Sequence, residues 1–231
     1  INIEGVGHVI SPTLKQIEEL GQDKYFGYIN ILTMTPEKYC ELTGTKNIYE
    51  SLSEEDRTSL KMFNLWIKNP DCLNIILKAL SFFIVDKIDF SNEAFILSNF
   101  KTHEVYGKID VDNFNDICKI ILQLNFIKTS EIDNATPKNG TVKYILEKLK
   151  KGAEIQNKKL DKDITMDNII PAMCVQHNSY NTSNIWSLTV YQLYELFFRQ
   201  NSKNQVDVSA ILWAARGTEE FDFSRWFKSN K

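Results

Sequence analysis

Three times in its first 70 residues, the chain places proline directly after a residue that caps helices well. Ser11-Pro12, Thr35-Pro36 and Asn69-Pro70 each join an N-cap side chain to a residue whose missing N–H costs nothing in the first helical turn. Each pair predicts a helix N-terminus, because apolar residues at helical spacing follow it. Gly21 is expected to end the first of these helices. This spacing constrains the N-terminal part to short, well-capped helices.

The hydrophobic period changes between residues 84 and 109. Short β-prone runs, "VDKIDFS", "AFILSN" and "EVYGKI", are separated by turn residues and predict a small antiparallel β element. Helical spacing then returns, and we expect Asp110 or Asp112 to cap the next helix. The residues predicted to form the buried face of that helix are Phe114, Ile117, Cys118, Ile121 and Leu122.

The clearest linker in the sequence covers residues 129–141, where Asp, Asn, Thr, Pro and Gly cluster. It divides an N-terminal part, residues 1–128, from a C-terminal part, residues 142–231. The C-terminal part is predicted to be helical, with segments at 142–159 and 166–177. A third helix should open at the capping box Thr189…Gln192, and a last one should span 206–216 and stop at Gly217.

We therefore predict an α+β protein that is mainly α-helical, with a small antiparallel β element in its N-terminal helical part and a helical C-terminal part. The composition, 43% hydrophobic and 25% charged, is typical of a globular protein. The sequence shows no signal-peptide pattern and no apolar run of the roughly 18 residues that span a bilayer. Widely spaced cysteines within helices predict free, shielded thiols, as in a reducing cytoplasm.

Motifs for catalysis or metal binding are weak. Gly5-Val6-Gly7 lacks the third glycine of a dinucleotide loop, so we expect a flexible arm. Asp110, Asp112 and Asp116 recur at calcium-loop spacing, but Phe114 occupies a ligand position, which favours helix capping. The sequence contains no Walker loop, nucleophile elbow or zinc-protease motif. It predicts a non-enzymatic protein without a metal or cofactor.

The basic segment 142–159 leaves one alternative open. Its lysines alternate with acidic residues, and pairs such as Glu147…Lys151 and Glu154…Lys158 have the i,i+4 spacing of an exposed, solvated helix face. The same lysines could contact nucleic acid, which makes a helical nucleic-acid-binding regulator the alternative from another functional class. The formal net charge of -3 argues against that function, and nucleic acid is not an expected partner.

Aromatic side chains are the strongest binding signal. They surround more than one face of the helix that follows Thr189, which indicates either a central core helix or half of a protein interface. Aromatic residues are favoured interface anchors. The candidate interface residues are Trp186, Tyr191, Tyr194, Phe197, Phe198, Trp226 and Phe227, with Tyr25 and Tyr28 in the N-terminal part.

Both ends of the chain resemble a known family. "GVGHVISPTLKQIEELGQDKYFGYINILTMTPEKY" and "IWSLTVYQLYELFFRQNSKNQVDVSAILWAARGTEEFDFSRWF", with the central "IDFSNEAFILSN", are similar to tail-module proteins of phages that infect Gram-positive bacteria. The sequence departs from that pattern at Arg216, which precedes Gly217-Thr218, and at residues 224–227. The resemblance extends over nearly the whole chain.

This resemblance implies a non-enzymatic role in assembling a phage tail. The expected function is that of a tail assembly chaperone acting on the tape-measure protein in the host cytoplasm, and the alternative is a structural subunit retained in the virion tail. The expected partners are the tape-measure protein, other tail proteins and a second copy of the chain.

Replacing Trp226 and Phe227 together by alanine tests the interface hypothesis. We expect the far-UV helix signal and the thermal transition to change little, while capture of the tape-measure protein or self-association weakens. Truncating an aromatic anchor typically costs about 2 kcal/mol or more, which is about thirtyfold in affinity. A core role predicts a melting temperature lower by several degrees. A less stable double variant that still binds normally when folded would contradict the interface hypothesis.

Overall fold

The computed structural model describes residues 1–127 and 165–216, together with Ser224. The chain divides into two compact units, Ile1–Thr129 and Ser130–Lys231. The described residues are mainly helical with a small antiparallel sheet, as the sequence predicts. The predicted linker at 129–141 and the basic segment at 142–159 lie outside the described residues and stay predictions.

Short helices make up most of the N-terminal unit, and two small sheets complete it. The strands are β1 (Asn2–Ile3), β2 (Gly7–His8), β3 (Lys87–Ser91), β4 (Ala94–Ser98) and β5 (Val105–Ile109). The helices are α1 (Leu14–Leu20), α2 (Gln22–Leu32), α3 (Pro36–Leu42), α4 (Lys46–Ser51), α5 (Glu54–Ser59), α6 (Met62–Lys68), α7 (Pro70–Phe83) and α8 (Phe114–Leu124).

Two of the three helix starts predicted from proline are confirmed, and the exception has a local cause. Thr35 and Asn69 cap α3 and α7, with Pro36 and Pro70 in the first turn. The prediction that Ser11-Pro12 starts α1 is wrong. Thr13 is the cap, because its hydroxyl accepts the Gln16 N–H while the Gln16 side chain accepts the Thr13 N–H, completing a capping box.

The cap of α8 is also corrected. Neither Asp110 nor Asp112 caps this helix, since Asn113 occupies the N-cap position. The Asp110 carboxylate instead pairs with Lys108 at 2.8 Å and accepts the Asp112 N–H at 3.0 Å. Both interactions lower the pKa of Asp110, and the hydrogen bond from Lys108 has the larger effect. The buried face of α8 is as predicted, from Phe114 to Leu122.

The three-stranded sheet packs one face on the core. The strand order is β3-β4-β5, and both pairings are antiparallel. Phe95 faces Phe90 on β3 and Ile109 on β5, and its ring lies 5.8 Å from that of Phe63 on α6. Because side chains alternate along a strand, Lys87 and Asp89 lie on the opposite face, where they form an ion pair at 2.7 Å.

The β1–β2 hairpin is held against this sheet, so the prediction of a flexible arm at residues 5–7 is wrong. The Gly5 carbonyl accepts the Lys108 N–H at 2.9 Å. Asp86 accepts the His8 N–H at 2.6 Å, and the His8 carbonyl accepts the Val85 N–H at 3.0 Å. The hairpin backbone crosses directly over Gly107, where a Cβ atom would collide with the carbonyl of Val6.

The described part of the C-terminal unit has α9 (Met166–Gln176), a 3₁₀ turn (Ile185–Ser187) and α10 (Val190–Arg216). The capping box of Thr189 and Gln192 is confirmed at the start of α10. The prediction of two helices after it is wrong, because α10 is continuous through the polar stretch "QNSKNQ". No proline or glycine interrupts that stretch, and the pairs Gln200–Asn204 and Lys203–Asp207 join successive turns.

Alanine substitutions at two glycines compare the effect of close backbone packing on stability with the effect of helix propensity. Gly107→Ala should lower the free energy of unfolding by about 1–3 kcal/mol, since the added methyl group displaces the hairpin backbone. Gly27→Ala is the matched control: it lies inside α2 with open space around it, and should raise stability by roughly 0.5–1 kcal/mol. Urea unfolding of both variants measures the difference. Equal effects of the same sign would contradict the described position of the hairpin.

Candidate protein-binding surface

Four predicted aromatic residues lie on the first turns of α10, and three of them pack against one another; we call the four the ring cluster. Tyr191, Tyr194, Phe197 and Phe198 are all half-buried. Tyr194 and Phe198 stack at 6.3 Å with an interplanar angle of 24°, and Phe197 meets Phe198 edge-on at 5.6 Å. Burial raises the pKa of Tyr194. Tyr194, Phe197 and Phe198 therefore support one another, and all four rings keep part of their surface exposed.

Trp186 lies in the 3₁₀ turn that precedes this cluster. Its indole N–H donates to the Thr182 carbonyl at 2.9 Å, and the residue is half-buried. Ile185 and Leu188 on either side of it are buried, which fixes the turn to the unit. The indole ring is consequently held in one position close to the start of α10. Trp226 and Phe227, the last two C-terminal candidates, lie outside the described residues.

The two N-terminal candidates have different surroundings. Tyr25 is only 2% exposed, and its hydroxyl donates to Asn125 Oδ1 at 3.0 Å, so its ring is a core residue of the N-terminal unit. Tyr28 is half-buried, with its ring 5.9 Å from that of Phe82. Of these two rings, Tyr28 is the one that presents surface for a contact.

The sequence analysis did not identify an exposed apolar stripe on the last part of α10. Val208, Ile211 and Leu212 are 57%, 69% and 50% exposed, and Ala215 is exposed as well. Their spacing of i, i+3, i+4 and i+7 places them on one side of the helix. Val206 is buried on the other side, at ~160° of rotation from Val208. All four residues lie within the predicted last helix, 206–216, so their spacing was available from the sequence and only their exposure was not.

Within the described part of the chain, the cysteine thiols are the groups to consider for other chemistries. Residues 1–127 and 165–216 contain no group of three or more His, Cys, Asp or Glu side chains positioned to hold a metal ion. All four cysteines are free, and burial raises the pKa of Cys118 to about 12. None of the helices in these two ranges combines the length and apolar character needed to cross a membrane.

Comparison with known families places the C-terminal features in context. Residues 156–231 match the family described as the YomV second domain. That family is phage-associated, since YomV comes from a Bacillus prophage, and the similarity points to a phage origin for the chain. The matched range includes α9, the ring cluster and the apolar stripe. No curated protein and no solved structure matches the chain.

A hydroxyl deletion at Tyr25 distinguishes its core role from a binding role. Tyr25→Phe should lower the free energy of unfolding by about 1–3 kcal/mol, because it leaves the buried Asn125 amide oxygen without the tyrosine donor. Tyr28→Phe, on the same helix at a half-buried position, should change stability by less than about 0.5 kcal/mol. Chemical denaturation measures both variants. Equal stability of the two would contradict the buried hydrogen bond.

Proposed function

We propose that this chain is a non-enzymatic assembly factor of a phage tail that acts as a chaperone of the tape-measure protein. The observation that carries the proposal is the ring cluster of Tyr191, Tyr194, Phe197 and Phe198, which lies within the region similar to the phage-associated YomV second domain. The resemblance of both chain ends to tail-module proteins supports the assignment to the tail.

The ring cluster has the physical properties of a binding site for apolar protein segments. Tyrosine combines a large apolar ring with a hydroxyl that can bond at the edge of a contact. Rings that already pack against each other lose little side-chain entropy when a partner binds. Trp186 and Tyr28 present similar partly exposed rings, each held by a neighbour. Such anchors suit a protein that holds a partner before assembly.

In this proposal the chain works in the bacterial host cytoplasm while the tail is built. It would shield apolar segments of the tape-measure protein from aggregation until the other tail proteins cover them. A subunit retained in the virion would use the same kind of surface, so the two roles differ in what remains in the finished particle.

Co-expression with the tape-measure protein encoded in the same phage genome tests the proposal. We expect the chain to raise the soluble fraction of that protein and to co-purify with it, relative to co-expression with an unrelated helical protein. Mass spectrometry of purified particles should then find the tape-measure protein without this chain. The chaperone proposal would be wrong if the soluble fraction did not rise, and stoichiometric amounts in particles would identify a virion subunit instead.

A matched pair of variants assigns the contact to the ring cluster. Tyr191→Glu removes one ring and adds a negative charge in the first turn of α10, where the helix dipole favours it. Gln192→Glu adds the same charge one residue later and preserves the capping box. We expect Tyr191→Glu to weaken tape-measure binding by about tenfold or more, and Gln192→Glu to bind like the wild type. Equal binding by both variants would exclude Tyr191 from the contact.

A further inference from the structure

The continuous helix α10 carries a heptad pattern along one side. Starting at Tyr194, residues separated alternately by three and four positions fall on a single line of the helix surface. We call this line the α10 seam: Tyr194, Phe197, Asn201, Asn204, Val208, Ile211 and Ala215. Apolar residues that repeat every 3.5 positions are the pattern by which one helix packs along another, and five of the seven seam residues are apolar.

Burial changes abruptly along the α10 seam. Tyr194 and Phe197 are half-buried within the ring cluster, and Asn201 is half-buried after them. Asn204 is exposed, and Val208 and Ile211 are 57% and 69% exposed. The covered side of this last part of the helix is the opposite one, where Val206 lies. Among the described residues, Asn201 is thus half-buried and the seam from Asn204 to Ala215 presents exposed surface to a partner helix.

We propose that a second copy of this chain covers the open half of the α10 seam, through a parallel, in-register pairing of residues 201–215. In that arrangement each seam residue meets its own counterpart. Val208, Ile211 and Ala215 form apolar layers, while Asn201 and Asn204 meet the same amides of the other copy. An amide carries both a donor and an acceptor, so identical amides can satisfy each other.

The two asparagines select the orientation. A polar Asn within an apolar seam fixes register and partner in coiled coils. In an antiparallel pairing of the same segment, centred on Val208, the amide of Asn204, four residues before the centre, would face the apolar side chain of Leu212, four residues after it. That arrangement buries a polar group without a partner, which is unfavourable. The parallel pairing avoids this cost at both asparagines.

The residues beside the seam allow identical chains to approach. In a parallel pair of helices, the residues that flank the seam also meet. A residue that comes directly before a seam residue contacts the residue five positions later in the sequence of the other chain. This brings Gln200 to Gln205 and Asp207 to Leu212 of the second copy, so no like charges oppose each other. Lys203 pairs with Asp207 at 2.5 Å within its own helix and so offsets the negative charge next to Val208.

The proposed contact between the two α10 helices is short, so we expect it to be weak. Fifteen residues of helix extend over ~22 Å, or about four turns. A contact of this size lies below the standard range for stable protein complexes. We therefore expect a dimer that forms reversibly and depends on concentration. This inference is independent of the proposed chaperone role, because it uses different residues and needs no tail protein.

Analytical ultracentrifugation of the full chain, over a range of concentrations up to hundreds of micromolar, tests the contact. The wild type should shift from monomer towards dimer as concentration rises. Ile211→Lys should weaken dimerisation at least tenfold, since it places two positive charges in one layer. Val175→Lys is the matched control on α9, where the side chain is 86% exposed, and should dimerise like the wild type. A wild type that stays monomeric, or equal dimerisation of both variants, would overturn the proposal.

Oxidative cross-linking tests the orientation. In a parallel, in-register pair, Asn204→Cys brings two thiols together across the seam and should give a covalent dimer on a non-reducing gel. Lys203→Cys lies outside the seam and should cross-link no more than the wild-type protein, whose four native thiols serve as background. Cross-linking of Asn204→Cys at the background level would overturn the parallel arrangement.

Discussion

The buried hydrogen bond between Tyr25 and Asn125 joins α2 to the end of α8 across 100 residues of sequence. Asn125 is 1% exposed, and its amide N–H group also donates to the Ile121 carbonyl at 2.7 Å. Removing either partner leaves a polar group in the core, so the two helices can approach only in an arrangement that keeps this contact. Phe83 packs beside Tyr25 at 6.3 Å and connects the same site to α7, which leads into the sheet.

Local signals in the sequence predict much of this fold. Thr35 and Asn69 cap helices as expected, because an N-cap depends on the residue and its next three neighbours. The errors arise where two local solutions compete. Thr13 with Gln16 replaces Ser11, since a reciprocal capping box satisfies two backbone donors. Asn113 replaces the aspartates because Asp110 is already engaged by Lys108.

The candidate surface was harder to predict, for a different reason. Whether a ring is core or surface depends on elements distant in sequence, and nothing near Tyr25 indicates the amide of Asn125. Tyr25 and Tyr28 are three residues apart on one helix, yet only Tyr28 keeps exposed surface. The spacing of the apolar stripe needed no distant information, because its residues all lie within the predicted helix 206–216. The heptad line that joins Val208 and Ile211 to Tyr194 was missed, because the polar residues 200–205 were interpreted as a break between helices.

The continuity of α10 has a consequence for how tightly a dimer could hold one long partner. The ring cluster and the open seam lie on one rigid helix of 27 residues, ~40 Å long. A parallel pair of such helices carries both ring clusters at the same end, whereas an antiparallel pair would carry them at opposite ends. With the proposed pairing and the proposed ring-cluster contact together, two weak sites held side by side would act as a bivalent clamp on one long partner. Through effective concentration, avidity can then exceed the affinity of either site by a factor on the order of 10²–10⁴.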